Sequence, residues 1–237
     1  EQFVVMSNGD IVGFIANASN STKNEVWKST DGGYSWTMIV SNDDLPMTNK
    51  SRYSYSMNIL KNQTIILSGG EQGSVLSDVW ASKNGGYTWT LQTSTQEFGK
   101  RKEHVSYVFD NEMYILNGFD KEPNYVADVW KTVDEGKTWE LVTNNPGWSI
   151  RTLSYVTTIN GKVIMASGYS TVSPNYPSDI YISYDKGYSW ELLSNDKIIG
   201  SAKGKFINYN GSIIMLLAEK PGSQSNNRVF RSDDEGR

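Results

Sequence analysis

Cysteine is absent from the 237 residues. That absence removes disulfides, thiolate metal centres and cysteine nucleophiles together. Histidine occurs once, at His104. A single imidazole with no thiolate cannot assemble a zinc site of the usual type, so the sequence gives no reason to expect a metal or a cofactor. No apolar run approaches the roughly 18 residues of a membrane-spanning helix. The net charge is −4, so there is no basic stripe to follow a phosphate backbone and nucleic acid is not an expected partner. No stretch keeps the 3.6-residue period of an amphipathic helix, and no glycine-rich phosphate loop stands between a strand and a helix.

What the chain has is one motif written five times. It reads Ser29-Thr30-Asp31-Gly32-Gly33-Tyr34-Ser35-Trp36, then Ser82-Lys83-Asn84-Gly85-Gly86-Tyr87-Thr88-Trp89. It returns as Thr132-Val133-Asp134-Glu135-Gly136-Lys137-Thr138-Trp139, as Ser183-Tyr184-Asp185-Lys186-Gly187-Tyr188-Ser189-Trp190, and in part as Ser232-Asp233-Asp234-Glu235-Gly236. The acidic position falls at Asp31, Asn84, Asp134, Asp185 and Asp234, a period near 50 residues. Such a period marks a repeat architecture of the propeller or solenoid type.

Each period carries more than the motif. Turn residues recur at Asn8-Gly9, Lys61-Asn62, Asp110-Asn111, Asn160-Gly161 and Asn210-Gly211, where tight two-residue hairpins are expected. Short β-branched runs flank them, as at Val163-Ile164-Met165, and short runs bounded by turn residues read as strands. A third strand follows at Glu25-Val26-Trp27, Asp78-Val79-Trp80, Asp128-Val129-Trp130, Asp179-Ile180-Tyr181 and Arg228-Val229-Phe230. The motif then turns the chain into a fourth. Four antiparallel strands per period predict an all-β propeller, a single region over 1–237 with blades at 1–45, 46–95, 96–145, 146–195 and a partial 196–237. Within the motif the acidic side chain is expected to accept hydrogen bonds from turn amides two and three residues on, and the closing aromatic to pack between blades. The fifth motif is incomplete, so the sequence reads as a piece of a longer chain, or as a blade completed by another chain.

Ser-x-Asp-x-Gly-x-(Ser/Thr)-Trp resembles the Asp-box, or bacterial neuraminidase repeat. The whole unit, with Arg52, Leu67-Ser68-Gly69-Gly70 and Asp78-Val79-Trp80, also resembles kelch-type repeats. The resemblance covers essentially the whole chain and implies a propeller; it does not select an activity. Sialidases of Asp-box type hold a substrate carboxylate with three arginines, and Arg52, Arg101 and Arg151 stand in register, with Lys203 in the next slot. Converging guanidinium groups at a channel mouth would suit a carboxylate or sulfate. Against this, the Phe-Arg-Ile-Pro segment of such enzymes is missing, because Phe230-Arg231 continues with Ser232. A repeat also copies an arginine automatically. Glu71, Asp120 and Glu122 are loop acids with no partner evident in the sequence, so no catalytic residue is assigned.

Binding is expected on the variable loops, which a rigid scaffold presents for recognition. Seven of eight tryptophans fall at repeat positions; Trp148, in Asn145-Pro146-Gly147-Trp148, stands apart. An exposed Trp there would stack on a sugar or anchor a partner, whereas a packed one would be structural. Tyr169 and Tyr176, in the polar loop 169–178, are further candidates, with Phe98 and Tyr125 weaker ones. Glycosylation sequons occur at Asn17, Asn20, Asn49, Asn62 and Asn210, close to the roughly four that this composition gives by chance. The expected function is a non-catalytic, extracellular propeller module that binds a glycan or protein partner. The alternatives are a structural subunit of a surface or filamentous assembly, self-assembling through its last blade, and a sialidase-like glycoside hydrolase.

Overall fold

The computed structural model describes residues 2–16, 24–47, 51–94, 97–120, 124–195, 203–218 and 228–234. The fold is all-β, a β-propeller of five antiparallel sheets in which four have four strands and the last has three. Two compact units divide the chain: Glu1–Tyr114 with Lys131–Glu140, and Ile115–Trp130 with Leu141–Arg237.

The first unit holds two whole blades. One runs β1 (Gln2–Val5), β2 (Ile11–Ala16), β3 (Asn24–Ser29) and β4 (Thr37–Val40). The next runs β5 (Ser56–Ile59), β6 (Ile65–Ser68), β7 (Val79–Ser82) and β8 (Thr90–Thr93). The second strand is the buried one: all four residues of β6 are buried, so it reads as an unbroken apolar run. Val12, Phe14 and Val26 of one blade form a single core with Met57, Ile65, Leu67 and Trp89 of the other. The third sheet pairs β9 (Val105–Phe109), β10 (Glu112–Leu116), β11 (Val129–Thr132) and β12 (Glu140–Thr143) in chain order.

The second unit holds β13 (Tyr155–Ile159), β14 (Lys162–Ala166), β15 (Ile180–Ser183) and β16 (Glu191–Ser194), then β17 (Lys203–Tyr209), β18 (Ser212–Ala218) and β19 (Arg228–Ser232). Phe206, Met215 and Phe230 pack against the core of Ile164, Ile180 and Ile182. The other face of this last sheet carries Ile207, Tyr209, Leu216 and Val229, all exposed.

The hairpins separate into two kinds. At Asp110-Asn111, Asn160-Gly161 and Asn210-Gly211 both turn residues have positive φ, as a two-residue type I′ turn requires. The first two hairpins are longer than expected. The bond from the Leu60 amide to the Thr64 carbonyl encloses three residues, and only Gln63 among them has positive φ. The Met6–Asp10 hairpin repeats this with Gly9.

The repeated motif folds around its acid and the Ser or Thr two residues before it. In the first copy Ser29 Oγ donates to Asp31 Oδ1 (2.8 Å) and accepts the Gly33 amide (2.8 Å). Asp31 also accepts the Ser35 amide (2.9 Å) and hydroxyl (2.6 Å). The amides served are thus mainly four residues on, rather than two and three. The Ser35 hydroxyl first, then its amide and the Ser29 hydroxyl, lower the Asp31 carboxyl to about 2. At Asp134 burial pushes the other way, and the Thr138 amide and hydroxyl overcome it. Asn84 serves equally well because its amide donates to Thr88 Oγ1 (2.9 Å) where a carboxylate would accept, while its Oδ1 still takes the Thr88 amide (2.9 Å).

The two central positions of the motif differ in what they tolerate. Both have positive φ, and Glu135 and Lys186 occupy the first of them, where a Cβ built on Gly32 meets nothing within 4 Å. The second is glycine in every copy, and in the second and third copies it lies against the preceding blade: a Cβ on Gly86 would stand 2.9 Å from Val12 Cγ1, and one on Gly136 2.5 Å from Val79 Cγ1. Gly136→Ala is therefore expected to cost roughly 2–4 kcal/mol, from left-handed strain plus overpacking. Gly32→Ala should cost roughly 1–2 kcal/mol, from strain alone. Urea unfolding of the two variants measures the difference.

Candidate functional site

The three in-register arginines are structural anchors rather than an open anion clamp. Arg52 precedes β5 and its side chain is almost fully buried. Its guanidinium makes a two-pronged pair with Asp78, at 3.0 Å to Oδ1 and 2.6 Å to Oδ2, and also reaches the Gly69 carbonyl (3.2 Å). The same carboxylate accepts the Trp80 indole N–H at 2.7 Å. Arg151 repeats the arrangement, with Asp179 at 2.6 and 2.9 Å and the Ser167 carbonyl at 3.2 Å. Asp128 accepts the Trp130 indole at 2.7 Å. Arg101 is likewise buried; its guanidinium donates to the Phe98 carbonyl and lies 5.2 Å from the Phe98 ring. For Arg52 and Arg151 the Asp of the third-strand signature and the arginine are thus two ends of one buried network, and bidentate carboxylate pairing is what a guanidinium does best.

Trp148 is buried, not exposed. Its ring meets Trp190 at 4.9 Å and Tyr181 at 5.3 Å, and its indole N–H donates to Asn117 Oδ1 (2.8 Å). Phe98 does the same under Trp139, at 4.9 Å, and Met47 shares a core with Trp89. Met47, Phe98 and Trp148 stand at one repeat position, about 42 residues before the motif tryptophan. Trp148 is therefore in register after all. The sequence hides the position because Met, Phe and Trp fill it by size alone.

His104 is buried. Its Nε2 lies 3.0 Å from Ser56 Oγ and 3.4 Å from Ser68 Oγ, and those hydroxyls are 2.8 Å apart. Burial, and then the Arg101 charge, push its pKa down to about 3, so it is a neutral ring. Among the loop acids, Glu71 is held by the Lys102 ammonium. That hydrogen bond raises Lys102, while partial burial and then the Glu71 charge raise the Tyr53 hydroxyl. Asp120 is half-buried, and Glu122 lies outside the described residues.

Tyr169 and Tyr176 are brought together, and with them two rings from another loop. Phe119 and Tyr125 stack at 4.8 Å; Tyr125 meets Tyr169 at 6.3 Å, and Tyr169 meets Tyr176 at 5.4 Å. These rings belong to the loops between β10 and β11 and between β14 and β15, both within the second unit. Tyr125 is the buried footing, Phe119 and Tyr169 are half-buried, and Tyr176 and Val172 are exposed. Phe119 was not singled out in the sequence; its place directly after Gly118, matching Tyr169 after Gly168, is the signal that would have found it.

Asn62 and Asn210 are exposed at their turns. The Asn62 amide group already donates to Glu135 Oε1 (2.9 Å), so a glycan there would break a contact between blades. Asn17, Asn20 and Asn49 lie outside the described residues.

Residues 6–142, more than half of the chain, match the family model of the DUF6242 beta propeller domain. The chain belongs to this family. No curated protein matches its sequence. Among solved structures 374 chains match. One of them, described as "Structure of YjhT", is 13% identical with a TM-score of 0.71, over 95% of this chain and 78% of that one. YjhT is a kelch-like propeller, and at this identity the likeness is one of fold. DUF6242 membership thus agrees with the architecture read from the repeat.

Proposed function

We propose that this chain is a non-catalytic, extracellular β-propeller module that binds a glycan or protein partner through its strand-two-to-three loops. The observation that supports it is the aromatic series Phe119, Tyr125, Tyr169 and Tyr176, drawn from two loops and exposed at its Tyr176 end. Aromatic side chains give large contact area at low entropic cost, and a ring seated on other rings is already ordered before a partner arrives. The glycosidase alternative loses its main motive, because Arg52 and Arg151 are occupied by Asp78 and Asp179.

Tyr169→Ala with Tyr176→Ala is expected to weaken binding to an immobilised glycan panel, or to a purified partner, by about thirty-fold, the scale of an interface hot spot. The melting temperature should stay close to that of the parent. Unchanged binding by the double variant rejects the surface. A second reading, a subunit of a surface or filamentous assembly, is favoured by the exposed apolar face of the last sheet, Ile207, Tyr209, Leu216 and Val229. Sedimentation decides it: a strict monomer at high concentration removes that reading.

A further inference from the structure

A second site stands within the first unit, beside its first two motif turns. Lys28 and Thr30 at the end of β3, Ser35, Thr37 and Ile39 of the turn and β4, and Tyr87 of the next blade's motif line a cleft of about 190 Å³. Typical pockets for drug-sized ligands begin near ~300 Å³, so this one has room for a single small ring.

Its walls define the chemistry. Lys28 Nζ is fixed 2.6 Å from Asp10 Oδ2 and 5.6 Å from the centre of the Tyr87 ring. Asp10 neutralises the ammonium, so the cleft offers no surplus charge to an anion, yet an ammonium keeps further donor hydrogens once one is used. Asp10 is itself held low, first by Lys28 and then by Asn8. Tyr87 is half-exposed, and the cation fixes where its ring stands. Thr30, Ser35 and Thr37 are exposed hydroxyls, and Ser35 spends its proton on Asp31 (2.6 Å), leaving an acceptor. An aromatic surface, the remaining Lys28 donors, the Ser35 acceptor, the exposed Thr30 and Thr37 hydroxyls and the apolar Ile39 side chain suit a small neutral molecule with both C–H and O–H faces. A pyranose ring has that make-up.

We infer that this cleft binds one neutral pyranose unit, independently of the loop site. The experiment is a methyl and aromatic NMR titration of the whole chain with the methyl glycosides of glucose, galactose, mannose and N-acetylglucosamine. At least one should give saturable shifts at Ile39, Thr30, Thr37 and Tyr87, with a Kd of about 1 mM, the scale of a few kcal/mol from so small a ligand. Tyr87→Ala, a change at an exposed ring, should weaken that response at least tenfold, whereas Tyr176→Ala should leave it unchanged. No saturable shift at these residues with any of the four sugars overturns the inference. An equal response in the Tyr87→Ala variant also overturns it. A response lost on Tyr176→Ala instead would assign the sugar to the loop site and reject this cleft.

Discussion

Asp78→Ala is expected to lower the unfolding free energy by about 3–5 kcal/mol, the cost of leaving a buried charge without its partner. The loss is concentrated at one side chain. Arg52 is almost fully buried, gives two of its donors to Asp78, and has no partner for its Nε among the described residues. Without the carboxylate only the 3.2 Å bond to the Gly69 carbonyl remains, and the Trp80 indole loses its acceptor as well. In urea this amounts to a midpoint lower by about 1–2 M. The double replacement Arg52→Met with Asp78→Leu should recover most of the loss, because apolar residues of similar volume substitute well for a buried ion pair. Arg52→Lys should not, since an ammonium cannot fork onto two carboxylate oxygens. A loss below about 1 kcal/mol for Asp78→Ala would mean that water reaches the pair and screens it.

The same pair shows why the fold was legible in the sequence and much of the site was not. A repeat makes every structural need visible as a recurrence. The motif acid, its Ser or Thr partner and the second glycine all recur because each turn has to be closed in the same way. The arginine recurs for an equally structural reason, namely Asp78 and Asp179, so its register carried no information about a ligand. Trp148 misled in the opposite direction. Its position is held by Met47 and Phe98 in other blades, and a position specified only by apolar volume leaves no recurrent letter. Tyr169 and Tyr176 lie on one loop and were accessible from sequence. Their meeting with Phe119 and Tyr125 depends on two blades standing side by side, and no spacing along one loop encodes that. The Lys28–Tyr87 cleft is likewise made by residues of adjacent blades.

His104 provides the second large effect, through pH. The unfolded imidazole titrates near 6.5, while burial and then the Arg101 charge bring the folded value down to about 3. The native state therefore binds fewer protons than the unfolded one across that interval. Its stability is fully present above pH 6.5 and falls as the pH drops towards 3, by about 1.4 kcal/mol per unit. At pH 4.5 the chain should be about 3 kcal/mol less stable than at pH 7, an urea midpoint lower by about 1 M. The geometry explains why the folded protein does not accept the proton instead. Nε2 faces the Ser56 and Ser68 hydroxyls, Arg101 is the neighbouring charge, and Nδ1 has no partner among the described residues. An imidazolium there would be a second buried cation with nothing to offset it. The motif carboxylates act in a lower window: Asp31, lowered to about 2 from 3.8, changes stability only as the pH falls below roughly 4. His104→Phe, the residue that Phe206 supplies at the same repeat position, leaves Ser56 and Ser68 bonded to each other. It should flatten the urea midpoint between pH 6.5 and 4.5 while keeping the fall below pH 4. A His104→Phe variant that retains the upper slope would place the titrating group elsewhere.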